Sequence, residues 1–136
     1  MPLGSWMPEE LPTTAPVRVL IADDHRLFAE ALEVVLSTEA RIEVVGRAAD
    51  GEEAVAFARL LHPDVVALDL SMPVLDGFEA AAQLEQLDDP PAVLILTGSN
   101  APEDVDRARR AGAKGYITKD RIAASLVDAI LAAARS

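Results

Sequence analysis

Two adjacent acids, Asp23-Asp24, then Asp69, Thr97 and Lys119 each follow closely on a short apolar run. Brought to one place, the three carboxylates repel. Two unit charges ~4 Å apart cost on the order of 4 kcal/mol at an effective dielectric of ~20. A hard divalent cation with oxygen ligands offsets that cost, and Mg²⁺ usually takes one or two carboxylates plus water and phosphate oxygens. A lysine opposite completes the neutralisation and can grip a phosphate. A threonine hydroxyl can donate to a phosphoryl oxygen. The combination suits phosphoryl transfer, which depends on positioning and charge neutralisation. A carboxylate can itself be the nucleophile and form an aspartyl phosphate.

The elements that must carry these residues are legible in the hydrophobic pattern. Val17 to Ala22 is a short run rich in β-branched residues and predicts a strand. Leu27, Phe28, Ala31, Leu32 and Val35 then recur at helical spacing. Ile42 to Gly46 is a second strand, mixed in character and suited to a sheet edge. Ala54, Val55, Ala58 and Leu61 share a helical face, and Asp64 to Leu68 is a third strand. Phe78, Ala81, Ala82 and Leu84 belong to a third helix, introduced by the turn residues Asp76 and Gly77. After Pro90-Pro91 comes a fourth strand, Ala92 to Leu96. Val105, Ala108 and Ala111 give a short fourth helix, stopped by Gly112. Gly115 to Thr118 is a fifth strand, and Ile122, Leu126 and Ile130 mark a last helix with a wide apolar face.

Five βα units in succession, with no hairpin turns, predict a parallel sheet covered on both faces. The fold class is α/β, doubly wound, with an eight-fold barrel excluded by length. Open sheets of this kind place functional groups outside the carboxyl ends of the strands. That is where Asp23, Asp24, Asp69, Thr97 and Lys119 fall.

The chain has 136 residues, enough for one domain. Its net charge of −11 works against nonspecific binding to nucleic acid or anionic membranes. It has no cysteine, which removes disulfides, thiolate metal sites and cysteine nucleophiles. No apolar run reaches the ~18 residues of a membrane span, and no signal peptide is visible. Residues 1–16, with Pro2, Pro8, Pro12 and Pro16, read as a flexible leader whose first residues are a cloning scar, with Met7 a candidate native start.

The stretches Val19 to His25, Asp64 to Gly77, Leu96-Thr97 and Ala111 to Lys119 resemble, in order and in register, the receiver domain of two-component response regulators. The resemblance covers residues 17–136. The Ala22-Asp23-Asp24-His25 opening and the Gly115 to Asp120 ending are similar to the NarL/FixJ subfamily, whose receivers usually precede a LuxR-type helix-turn-helix domain. The resemblance implies a flavodoxin-like sheet of order 2-1-3-4-5. It implies that Asp69 accepts phosphate from a histidine kinase. Asp24 would bind Mg²⁺ directly, Asp23 through water or as a second acidic ligand, Asp69 would be a metal ligand too, and the backbone carbonyl of Ser71 would complete the protein ligands. Thr97 would hydrogen-bond the phosphoryl group and Lys119 would pair with it. Tyr116 would be an aromatic switch that turns inward as Thr97 moves. A cytoplasmic location follows from the family. The part of the last helix's apolar face that does not cover the sheet reads as a dimer or interdomain surface, and a homodimer through that helix or the face of the fourth helix and fifth strand is expected. Membranes are not expected as partners, and direct DNA binding would belong to a part outside these residues.

Departures and plainer readings stand beside this one. Asp120 follows Lys119 where many receivers carry a cis-proline. Gly98 follows Thr97 where alanine or serine is common, and Ser71 and Ser99 occupy positions that influence phosphate lifetime. Asp23-Asp24 could be a solvated helix start, Thr97 a strand end, Lys119 a surface lysine and Tyr116 a static core residue. His25 reads as a structural or rim residue, and Arg107, Arg109 and Arg110 as a solvated face. An enzyme, a Mg²⁺-dependent phosphatase, expects Asp-x-Asp at the end of the first strand, which Asp23-Asp24-His25 lacks. A receiver acting alone by protein binding is the alternative to one that controls transcription.

Overall fold

The structure is a computed structural model and describes residues 15–70, 72, 75–98 and 101–135. Strands and helices alternate: β1 (Val17–Ala22), α1 (Arg26–Ser37), β2 (Ile42–Ala48), α2 (Gly51–Leu61), β3 (Val65–Asp69), α3 (Gly77–Glu85), β4 (Ala92–Thr97), α4 (Pro102–Arg110), β5 (Gly115–Thr118) and α5 (Ile122–Ala134). A 3-10 turn, Lys119–Arg121, leads into α5. Every strand pairs in parallel, in the order β2-β1-β3-β4-β5. The doubly wound, flavodoxin-like fold is therefore as expected. The leader is outside the described residues, apart from Ala15 and Pro16.

The alternation of side chains across the sheet makes two cores. Val19, Ile21, Val65, Ala67, Leu94 and Leu96 point to one face, where α1 and α5 cover them with Leu32, Leu36, Leu126 and Ile130. Leu20, Ala22, Val66, Leu68, Val93 and Ile95 point to the other, covered by α2, α3 and α4 through Ala54, Ala58, Ala81, Leu84 and Ala108. The central strands β1, β3 and β4 are thus apolar on both sides, which is why their sequences run apolar without alternation.

Local chemistry sets the helix ends. Asp50 caps α2 by accepting from Glu53 N at 2.8 Å, and Glu53 reaches back to Ala49 N–H at 2.8 Å. Asp76 caps α3 by accepting from Glu79 N at 2.9 Å. Pro102 opens α4, and Gly112, at φ +93°, takes the left-handed turn that ends it.

Two expectations shift. β2 runs past Gly46 to Ala48, because a register shift at Val19/Leu20 lets the edge strand continue through exposed Arg47. On α1, Ala29, Leu32 and Leu36 face the sheet, while Leu27, Ala31 and Val35 of the expected face are exposed, Leu27 to 80%. The helix is apolar over a wider arc than one sheet face can cover. The arginines of α4 are exposed as expected, but Arg107 also stacks over the Phe78 ring at 4.1 Å.

Candidate functional site

Parallel register brings the acids together. β1 and β3 are neighbours with Ala22 opposite Leu68, so the next residues, Asp23 and Asp69, stand side by side where the strands end. Both are buried, at 3% and 1% exposure. Asp23 N–H donates to Ala48 O at 3.0 Å, which ties the loop after β1 to the end of β2. Asp23 Oδ1 accepts the His25 N–H at 2.8 Å, and this tight turn sets Asp24 at the rim, its side chain 31% exposed.

β4 lies on the other side of β3 and opposes Asp69 with Leu96, so Thr97 follows one step beyond the acid. β5 is two strands from β3. A group from there reaches Asp69 only on a long side chain, and Lys119 provides it. Its Nζ stands 3.2 Å from Asp69 Oδ1 and 3.5 Å from Asp23 Oδ2. The ring of Phe28, in the first turn of α1, lies 4.6 Å from the same ammonium. A cation over an aromatic face is held by the ring quadrupole. The backbone after Asp69 is drawn in at Gly77, whose N–H donates to Leu70 O at 3.2 Å. A side chain at Gly77 would stand 2.7 Å from Asp69 O, so α3 can close over this loop only with glycine at its start.

Donor atoms of Asp23, Asp24, His25 and Asp69 all lie within 4.8 Å of one another. Asp23 Oδ2 is buried and accepts no hydrogen bond. A buried carboxylate oxygen left without a donor is costly. Lys119 alone cannot neutralise three acids, so the residues present fit a divalent cation with oxygen ligands. The backbone carbonyl of Ser71 lies outside the described residues, as does Ser99.

Tyr116 is half-buried and shares a side-chain hydrogen bond with Thr97. Burial raises its phenol above the ordinary value, the Thr97 bond works the other way, and Asp104 on α4 raises it further. The ring also lines a cleft of about 590 Å³ with Val105, Thr118 and Ser125, between α4, β5 and α5. It is therefore in contact with the site on one side and with the outer surface on the other. Among the described peptide bonds none is cis, in keeping with Asp120 after Lys119.

The sequence-derived residues Asp23, Asp24, Asp69 and Lys119 meet at one rim, with Thr97 next to Asp69 in register. The contributions of Phe28 and His25 were not read from sequence. Phe28 belongs to the apolar pattern of α1, and nothing in its spacing singles out a ring beneath a lysine.

The family model described as the response regulator receiver domain matches residues 19–131. Among relatives, the Bacillus subtilis transcriptional regulatory protein YxjL is 39% identical over 119 residues, 88% of this chain and 55% of YxjL. The transcriptional regulatory protein LiaR of the same organism is 40% identical over 120 residues, 88% of this chain and 56% of LiaR. The chain thus spans little more than half the length of these relatives. Among solved structures, the signal receiver domain of the response regulator NarL from Mycobacterium tuberculosis superposes with a TM-score of 0.86 at 36% identity, covering 90% of this chain and 99% of that one. A chain of the CheX-CheY-BeF3-Mg+2 complex from Borrelia burgdorferi gives a TM-score of 0.79 at 28% identity, covering 85% of this chain and 87% of that one.

Proposed function

This chain belongs to the response regulator receiver family, and from that premise we propose that Asp69 accepts a phosphoryl group from a histidine kinase. The observation that carries the reading is the Lys119 ammonium 3.2 Å from Asp69 Oδ1 inside a buried acidic cluster. An Asp69 oxygen forms a bond to phosphorus as the phosphorus–nitrogen bond of the donor breaks. The electron pair leaves with the donor imidazole, which takes up a proton from water. Lys119, bound to the carboxylate before transfer, is placed to pair with a phosphoryl oxygen after it, and Thr97 is one step away to donate a hydrogen bond. Mg²⁺, when bound, offsets the charge of the acids and the incoming oxygens. Asp24 would hold it directly, Asp23 through water or as a second acidic ligand, with Asp69 as the third acid and the carbonyl of Ser71 completing the set.

The same reading assigns a switch. Phosphorylation adds about −1.5 to −2 charges beside Thr97. Movement of Thr97 alters the support of Tyr116 and biases the face formed by α4 and β5 between two conformations. α4 suits that role, since Ala108 is its one fully buried residue. The chain acts as a signalling receiver and not as an enzyme on other substrates. We assign it to the cytoplasm, as for response regulators generally. Among the described residues no helix is long and apolar enough to cross a membrane. Its output is control of transcription, the role that the names of the relatives carry, and we assign that output to a LuxR-type DNA-binding part outside these residues. Self-association through α5 or the α4–β5 face is part of the proposal. The exposed Leu27, in the first turn of α1, offers a kinase an apolar foothold near the acids.

Incubation with acetyl phosphate and Mg²⁺ tests the reading by mass. One phosphoryl group should be added to the unmodified chain and none to Asp69→Asn. Labelling that persists in Asp69→Asn, or turnover of added phosphomonoesters, would refute it.

A further inference from the structure

We propose that His25 is a ligand of the acidic cation site through Nδ1, and that it makes the site favour a first-row transition metal over Mg²⁺. The inference rests on the cation site proposed above and names its fourth side chain. His25 Nδ1 stands 3.4 Å from Asp23 Oδ1 and 3.3 Å from Asp24 Oδ1. Donors about 2.0–2.1 Å from one ion are separated by roughly 2.9 Å at adjacent octahedral positions and roughly 3.4 Å at tetrahedral ones. The imidazole nitrogen is therefore at ligand spacing from two carboxylates, and the donor atoms of all four residues are mutually within 4.8 Å.

Two further observations point the same way. Asp23 Oδ2 is buried, accepts no hydrogen bond and faces the Lys119 ammonium at 3.5 Å, so a single monocation stands against three acids. His25 occupies the N-cap of α1 but its side chain makes no cap hydrogen bond. That position favours Ser, Thr, Asp or Asn, whose oxygens satisfy the first helical N–H groups. The imidazole is turned instead toward the acids. The His25 N–H, bound to Asp23 Oδ1 at 2.8 Å, fixes the backbone that aims it.

A nitrogen donor changes the preference of an otherwise oxygen-lined site. Mg²⁺ favours oxygen and holds its waters, whereas imidazole suits the later first-row ions, whose affinities rise toward Cu²⁺. His25 would replace one water on such an ion and leave the carboxylates as they serve Mg²⁺.

Co²⁺ is the probe. The chain has two histidines and no cysteine, and His62 lies before β3, at the opposite end of the strand from Asp69. Proton NMR of the Co²⁺-loaded chain should show a hyperfine-shifted, exchangeable imidazole N–H signal. His25→Gln should remove that signal and His62→Gln should keep it. By calorimetry, His25→Gln should weaken Co²⁺ at least about tenfold while Mg²⁺ changes less than about twofold. Co²⁺ binding with no shifted histidine signal, or an unchanged Co²⁺ to Mg²⁺ ratio in His25→Gln, would overturn the ligand. Failure of the unmodified chain to bind either ion would overturn the cation site itself, and the ligand with it.

Discussion

Tyr116 and Thr97 are joined by a side-chain hydrogen bond across neighbouring strands, on the same face of the sheet. Tyr116 sits opposite Ile95, two residues before Thr97, so the bond runs diagonally along β4. It links a residue beside Asp69 to a ring that lines the outer cleft.

That bond can be titrated, because Tyr116 is the chain's single tyrosine. Burial raises its phenol above 10.0, so phenolate absorbance should appear at higher pH than for free tyrosine. Thr97→Ala removes the opposing bond and should push the midpoint higher still. The sign for stability follows from the raised value. The contribution is complete below pH 10.0 and is lost as pH rises through the folded midpoint. A midpoint below that of free tyrosine, or one unmoved by Thr97→Ala, would contradict the contact.

Charge crowding predicts a gain from losing an acid. In metal-free buffer, Asp24→Asn should stabilise the protein by on the order of 1 kcal/mol, a rise of about 3–5 °C in Tm. Lys119 already offsets part of the repulsion, which keeps the gain small. Mg²⁺ at about 100 times its Kd should stabilise the unmodified chain by about 2.7 kcal/mol and the variant by less. Calorimetric melts with and without Mg²⁺ measure both.

Phe28 holds the ammonium of Lys119 at its face. Phe28→Leu keeps an apolar side chain but removes the ring, and about 0.5–1 kcal/mol of cation–π attraction with it. Phosphorylation by acetyl phosphate should slow about two- to fivefold. Phe28→Tyr should restore most of the rate. Lys119→Arg should not substitute for lysine, because a planar fork needs space that two carboxylates and a ring do not leave.

The glycines separate by geometry. Gly112→Ala places a methyl group on the Glu85 carboxylate at a φ of +93° and should destabilise by about 1–3 kcal/mol in denaturant melts. Gly98→Ala meets nothing within 4 Å and should stay within about 0.5 kcal/mol of the parent.

The sequence alone determined the parallel α/β class. Strand segments buried on both faces must be apolar, and residues 19–22, 65–68 and 93–96 are. It also placed each polar group at a strand end, since Asp23, Asp69 and Thr97 interrupt those runs. It did not determine which acids meet. That depends on β1 lying beside β3, a matter of crossover topology that no residue spacing encodes. Nor did it reveal the seat of Lys119 on Phe28 or the turn of His25 toward Asp23 and Asp24. Local pattern reports which face of an element is apolar. Which distant side chain arrives above that face is decided only when the elements pack.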